Sequence, residues 1–83
     1  MISNISKITN SLEHNLLVYL SVSKYINNYV FRLSVDEIDD LKQYLFLNGK
    51  RINENKYIFV MCGIPLILTI EYGTIVRMRI HKF

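Results

Sequence analysis

Apolar residues occupy every second position along two neighbouring segments in the last third of the chain, 65–71 and 75–82. Successive side chains on a β-strand point to opposite faces, so this alternation predicts a hairpin with one buried face. The apolar faces align when the strands pair Ile70 with Val76, Leu68 with Met78, and Leu66 with Ile80. This register leaves a three-residue loop at 72–74.

An apolar segment at 56–62 predicts a third strand, which completes a three-strand meander over 56–82. The polar, charged residues 50–56 are expected to connect this meander to the preceding element as a loop.

The segment 35–47 has both the start and the stop signals of a helix. Ser34 and Glu37 have the spacing of a capping box, in which each side chain accepts a hydrogen bond from the backbone of the other. Asn48 and Gly49 tolerate the left-handed conformation that is common at helix C-termini. We therefore expect the helix to end there.

Residues 15–34 fit two patterns. As a helix, the segment continues an apolar stripe made of Leu12, Leu16, Tyr19 and Ile26. As a hairpin with an Asn-Asn turn at 27–28, it separates a mostly apolar face from a mixed face, and Val and Tyr favour strands. We predict the β-hairpin over 15–34.

A short N-terminal helix is predicted over 1–13, where Ile and Leu recur at helical spacing among Ser, Asn and Thr. The chain is then a single domain, 1–83, of the α+β class. We expect an antiparallel sheet of about five strands (hairpin, helix, three-strand meander) with one strong helix packed on it and a weak N-terminal helix.

The composition allows a folded core but names no reaction. Apolar residues make up 51% of the chain, and the formal net charge is +3. This charge permits nucleic-acid or acidic protein partners, and a homodimer would stabilise so short a chain. The twelve isoleucines, eight asparagines, six lysines and six tyrosines are typical of AT-rich genomes, such as those of many phages and plasmids.

Several classes of protein lack support in the sequence. The apolar run 57–70 contains Gly63 and Pro65 and falls short of the roughly 20 residues of a membrane-spanning helix, so we expect no membrane partner. Cys62 is interpreted as a buried, small apolar residue. No phosphate-binding loop, paired-cysteine zinc pattern or hydrolase nucleophile motif occurs. We therefore expect no cofactor, metal site or catalytic residue.

A basic strand face is the main candidate site. Arg77, Arg79 and His81 alternate with buried positions, and Lys82 follows them. We expect the neighbouring strand to add Tyr57 and Phe59 to this face, and the turn after the helix to add Lys50 and Arg51. Arginines and aromatic rings on a sheet can anchor a protein or bind nucleic acid.

The alternative interpretation of this face is a solvated surface. In that case Glu71 pairs with an arginine, and the aromatic residues lie under the N-terminal helix.

Residues 35–83 resemble the RelE/ParE toxins in layout. A helix is followed by a basic antiparallel meander that ends in Arg79, His81 and Lys82. The resemblance implies a metal-free ribonuclease that uses basic and tyrosine residues on the sheet. The predicted hairpin at 16–33 departs from the helical N-terminal half of that family.

The sequence favours a small non-enzymatic protein-binding module in the cytoplasm. Such a module fits an inhibitor encoded by a phage or mobile element that occludes a host defence protein. One alternative is a nucleic-acid-binding protein or RelE-like ribonuclease that uses Arg77, Arg79, His81 and Lys50. The other alternative is a small structural subunit of a larger assembly.

Overall fold

The computed structural model describes residues 4–82, apart from the side chain of Asn4. It contains two helices and five strands: α1 (Asn4–Val22), β1 (Tyr29–Arg32), α2 (Val35–Asn48), β2 (Gly49–Asn53), β3 (Lys56–Met61), β4 (Ile64–Glu71) and β5 (Ile75–Ile80). The strands form one antiparallel sheet in the order β1-β5-β4-β3-β2. The predicted α+β class with a five-strand antiparallel sheet is confirmed. Residues 1–3 of the predicted helix 1–13 lie outside the described residues.

The predicted hairpin over 15–34 is wrong. Residues 15–22 belong to α1, and only Tyr29–Arg32 is a strand, which pairs with β5. The N-terminal helix therefore continues well past residue 13. Its buried residues have helical spacing: Ile8, Leu12, Leu16 and Tyr19. Burying this stripe against α2 and the sheet stabilises the helix more than the strand preference of Val and Tyr opposes it.

The capping box at the start of α2 is confirmed. Glu37 N–H donates to Ser34 Oγ at 3.1 Å, and Ser34 N–H donates to Glu37 Oε1 at 2.9 Å. The Ser34 backbone N–H, and after it the Ser34 side chain, favour the charged carboxylate and lower the pKa of Glu37 below its usual value. The box fixes where α2 begins relative to β1.

The predicted end of α2 at Asn48 and Gly49 is confirmed, but the expected left-handed cap is wrong, because the chain passes directly into a strand. Gly49 is extended, with φ of −133°, and is not left-handed. Its Cβ would lie 2.9 Å from the Ile58 carbonyl oxygen, so glycine is needed here for close approach to β3. The predicted loop 50–56 is also wrong, since residues 49–53 form the edge strand β2.

The predicted pairing of β4 with β5 is confirmed in all three pairs, Ile70 with Val76, Leu68 with Met78, and Leu66 with Ile80. The three-residue loop is confirmed as well, because Glu71 pairs with Ile75. The β3–β4 turn consists of Cys62 and Gly63, with φ of 53° and 76°. Two positive φ angles are the requirement of a type I′ turn. The turn exposes Cys62, so its predicted burial is wrong.

The molecule has two layers, with both helices on one face of the sheet. We call this covered face the inner face and the opposite one the outer face. The core lies between the layers, and the strands contribute Tyr57, Phe59, Met61, Leu66, Leu68, Ile70, Val76 and Met78 to it. Because side chains alternate along each strand, the residues between these positions form the outer face.

Candidate interaction surface

The outer face has no described helix or strand covering it. The register places on it the side chains of Val30, Arg32, Lys50, Lys56, Ile58, Val60, Pro65, Ile67, Thr69, Glu71, Ile75, Arg77 and Arg79. Glu71 is the only carboxylate in any described strand. The surface is therefore basic, and β-branched apolar residues lie between its cations.

One transverse row of the outer face has an apolar centre and a cation at each end. Lys50 pairs with Ile58, Ile58 pairs with Ile67, and Ile67 pairs with Arg79. Adjacent strands lie about 4.8 Å apart, so the backbones of Lys50 and Arg79 lie roughly 14 Å apart across the sheet. The next row adds Val60, which is 60% exposed. An apolar centre with a charged rim is the usual arrangement of a protein interface.

Arg77, one of the predicted binding residues of this face, is already engaged within the molecule. Its Nε lies 3.0 Å from Glu71 Oε2, and its Nη2 lies 3.2 Å from Glu71 Oε1. Its Nη1 also donates to Asn28 Oδ1 at 2.7 Å. The hydrogen bonds with Glu71 raise the pKa of Arg77 above its usual value. The alternative expectation that Glu71 pairs with an arginine is therefore confirmed, and the arginine is Arg77.

Tyr57 and Phe59 are not on the outer face, so this part of the predicted site is wrong. They are 8% and 2% exposed and belong to the core, and the Phe59 ring meets Tyr44 edge-on at 6.1 Å. The two-residue turn explains the error. It pairs odd-numbered residues of β3 with even-numbered residues of β4, and those even positions face the core.

The same turn identifies the residues that the sequence analysis missed. Ile58 and Val60 of β3 are on the outer face, and so is Lys56 at the start of the strand. The Cys-Gly pair at 62–63 indicates a two-residue hairpin turn, because glycine supplies the positive φ that such a turn requires. The register that follows from this turn would have placed Ile58 and Val60 on the outer face.

Lys50 and Arg51 are adjacent in β2 but belong to different faces. Lys50 pairs with Ile58 on the outer face, whereas Arg51 pairs with buried Tyr57 at the sheet edge. Arg51 Nε donates to the Asn53 carbonyl oxygen at 3.1 Å. Only Lys50 therefore joins the basic surface.

The remaining predicted residues follow one another at the end of β5. Arg79 is exposed on the outer face, and the backbone N–H of His81 donates to the Pro65 carbonyl oxygen at 2.9 Å. Lys82 is exposed and lines a cleft together with Arg79. The structure thus brings together Arg79, Lys82 and His81 at one end of the sheet and keeps Lys50 three strands away.

Within residues 4–82, no three His, Cys, Asp or Glu side chains converge as metal ligands. Neither described helix is long and apolar enough to cross a membrane. In comparisons with known proteins, no family model, no curated protein and no solved structure matches the chain.

Proposed function

We propose that this protein is a small non-enzymatic binding module whose outer face docks onto an acidic surface of another protein. The observation that carries the proposal is the apolar centre of the outer face, where Val60 is 60% exposed and Ile58 is half-buried above the buried Ile67, with Lys50 and Arg79 at the ends of the row. Apolar side chains would exclude water at the centre of the contact. The cations at the ends would orient an acidic partner and speed its association.

Charge complementarity favours an acidic partner over a second copy of the same face. Two outer faces in contact would bring like charges together, and Glu71, the one carboxylate of the described strands, is already paired with Arg77. We extend the proposal to an inhibitor that works by occlusion, encoded by a phage or mobile element and directed at a host defence protein. Its support is the AT-rich type of composition and the outer face.

Affinity capture with matched charge reversals tests the proposal. The wild type, Lys50→Glu, Arg79→Glu and Lys42→Glu would each be immobilised and exposed to lysate of the source organism or of its host. Lys42 is exposed on α2, in the helix layer, so its reversal is the control with the same change in net charge.

We expect one protein to be retained by the wild type and by Lys42→Glu but lost, by tenfold or more, from both outer-face variants. Purified partner should then show the same order of affinity. Equal retention by all four proteins, or no retained protein, would refute the outer face as a docking surface.

Nucleic-acid binding is the second candidate, favoured by the cations of the outer face. The predicted hairpin at 16–33 was the departure from the helical N-terminal half of the RelE/ParE toxins. Residues 16–22 are in fact part of the helix α1, so this difference is smaller than the sequence indicated. The burial of Tyr57 and Phe59 counts against it, because these rings are not exposed for base stacking. Fluorescence anisotropy with labelled RNA and DNA decides it. Binding that weakens with salt and is reduced in Lys50→Gln and Arg79→Gln would favour nucleic acid.

A further inference from the structure

One stripe of exposed residues runs along α2. Its members lie within about 60° of one another around the helix axis, and they are Val35, Asp39, Lys42 and Phe46. All four are exposed, and the two apolar side chains strongly so, with Val35 at 66% and Phe46 at 85%. Steps of four, three and four residues are typical of a helix that packs against another helix.

The neighbours of α2 show which side of the molecule the stripe occupies. Asp36 and Asp40 border α1, where they line a cleft together with Lys7. Lys42 and Phe46 instead line a hollow together with residues of the edge strand β2. The stripe therefore lies on the side of α2 that is turned away from α1, at the β2 edge of the sheet.

The two charges of the stripe are not used within the molecule. Asp39 and Lys42 are one helical turn apart, yet within residues 4–82 neither side chain has a hydrogen bond or an ion pair. Two apolar side chains and two opposite charges are therefore available to a partner.

The order of these four residues is complementary to itself. From Val35 to Phe46 the stripe reads apolar, acidic, basic, apolar, so the antiparallel stripe of a second copy reads apolar, basic, acidic, apolar. In this arrangement Val35 of each copy meets Phe46 of the other, and Asp39 of each meets Lys42 of the other. A two-fold axis produces every contact twice. Two apolar contacts would then flank two ion pairs.

We propose that two copies of this protein associate through α2, with the two helices antiparallel along this stripe. The contact of Val35 with Phe46 supplies the affinity, because it buries apolar surface that is exposed in the single chain. The ion pairs of Asp39 with Lys42 stay near solvent and contribute less, but they fix the orientation. A parallel arrangement would place each charge against its own kind, which is unfavourable.

The contact leaves the outer face free, so this inference does not rest on the proposed function. The variant Lys42→Glu separates the two proposals. It should lose the dimer and still capture a partner of the outer face, because its substitution lies in the helix layer.

Sedimentation equilibrium of the full chain measures the dimer, and charge reversals test its geometry. Asp39→Lys and Lys42→Asp each replace both ion pairs by like charges, so each should weaken dimerisation at least tenfold. An equimolar mixture of the two variants should dimerise again, because every pair in the mixed dimer joins opposite charges. Lys24→Asp changes an exposed residue outside the stripe, with the same change in net charge as Lys42→Asp, and should leave dimerisation unchanged.

A second pair of variants tests the apolar contact. Phe46→Ala removes an exposed ring and should weaken dimerisation at least tenfold while circular dichroism shows an unchanged fold. Leu17→Ala removes an exposed side chain of α1, which is 66% exposed, and should have no effect on dimerisation.

A wild type that stays monomeric at concentrations on the order of 1 mM would overturn the proposal. A dimer that neither charge reversal weakens would also overturn it, since the contact would then lie elsewhere. The same holds for an equimolar mixture of two folded variants that stays monomeric.

Discussion

Arg77 and Glu71 form a two-point ion pair across β5 and β4, with N–O distances of 3.0 and 3.2 Å. The same guanidinium donates to Asn28, which precedes β1. One side chain thus connects three segments on the outer face. These contacts hold the edge strand β1 against β5 and engage the guanidinium of Arg77 within the fold.

The structural role of the Arg77 guanidinium can be tested with a substitution that keeps its positive charge. In Arg77→Lys, a single ammonium replaces the planar group and cannot reproduce the two-point contact together with the Asn28 bond. We expect thermal denaturation, followed by circular dichroism, to show a midpoint a few degrees lower. Arg79→Lys is the control, since Arg79 makes no such bonds among the described residues. Identical midpoints for the two variants would contradict a structural role for Arg77.

Two adjacent leucines of α1 provide a matched test of the helix. Leu16 is 1% exposed and Leu17 is 66% exposed. Leu16→Ala removes buried methyl groups and leaves a cavity, so it should lower the free energy of unfolding by about 2–5 kcal/mol. Leu17→Ala should change it by less than about 0.5 kcal/mol. Urea unfolding measures both, and similar losses would refute the packing of α1 described above.

The β3–β4 turn predicts opposite effects at neighbouring positions. Gly63 has a positive φ, a conformation that costs an L-residue about 1–2 kcal/mol, so Gly63→Ala should destabilise the protein by that amount. Cys62 also has a positive φ, and asparagine tolerates it better than other residues do. Cys62→Asn should therefore stabilise the protein slightly. Urea midpoints that move in the same direction for both variants would exclude a type I′ turn.

The capping box predicts a pH dependence with a definite sign. Hydrogen bonds from Ser34 lower the pKa of Glu37 in the folded state below its value of 4.5 in the unfolded chain. The stabilisation is therefore complete above pH 4.5 and is lost as the pH falls through the lowered pKa. Glu37→Gln keeps an acceptor for the box but does not titrate.

We accordingly expect the difference in unfolding free energy between the wild type and Glu37→Gln to decrease as the pH falls from 6 to about 3. Ser34→Ala removes the cause of the shift and should cost about 1 kcal/mol at neutral pH. If the difference in unfolding free energy between the wild type and Glu37→Gln stays constant over this pH range, Glu37 does not stabilise the protein through its charge.

The parts of the fold that the sequence predicted are those decided by local chemistry. Alternation alone fixes the pairing of Leu68 with Met78, because a shift of one residue would turn every apolar side chain toward solvent. Ser34 and Glu37 are three residues apart, and their hydrogen bonds need no distant partner. The type and start of α2 could therefore be predicted correctly.

The predictions that were wrong depend on distant contacts. Residues 15–22 suit a strand by composition and a helix by spacing, and the docking of Leu16 and Tyr19 onto other elements decides between them. The candidate site shows the same limit. The shared face of Arg77 and Arg79 could be predicted from the alternation within one strand. The face of Tyr57 depends on the length of the turn that joins its strand to the next.

Because successive strand residues alternate between the inner and outer faces, substitutions on one face can be made independently of the packing on the other. Positions that hold the fold and positions that face solvent are interleaved along the same strands, yet they are physically separated by the sheet. A substitution at Val60 or Lys50 alters the exposed surface without touching the packing of Phe59 or Leu66. Substitutions on the outer face can therefore change its charge and shape at little cost in the free energy of unfolding.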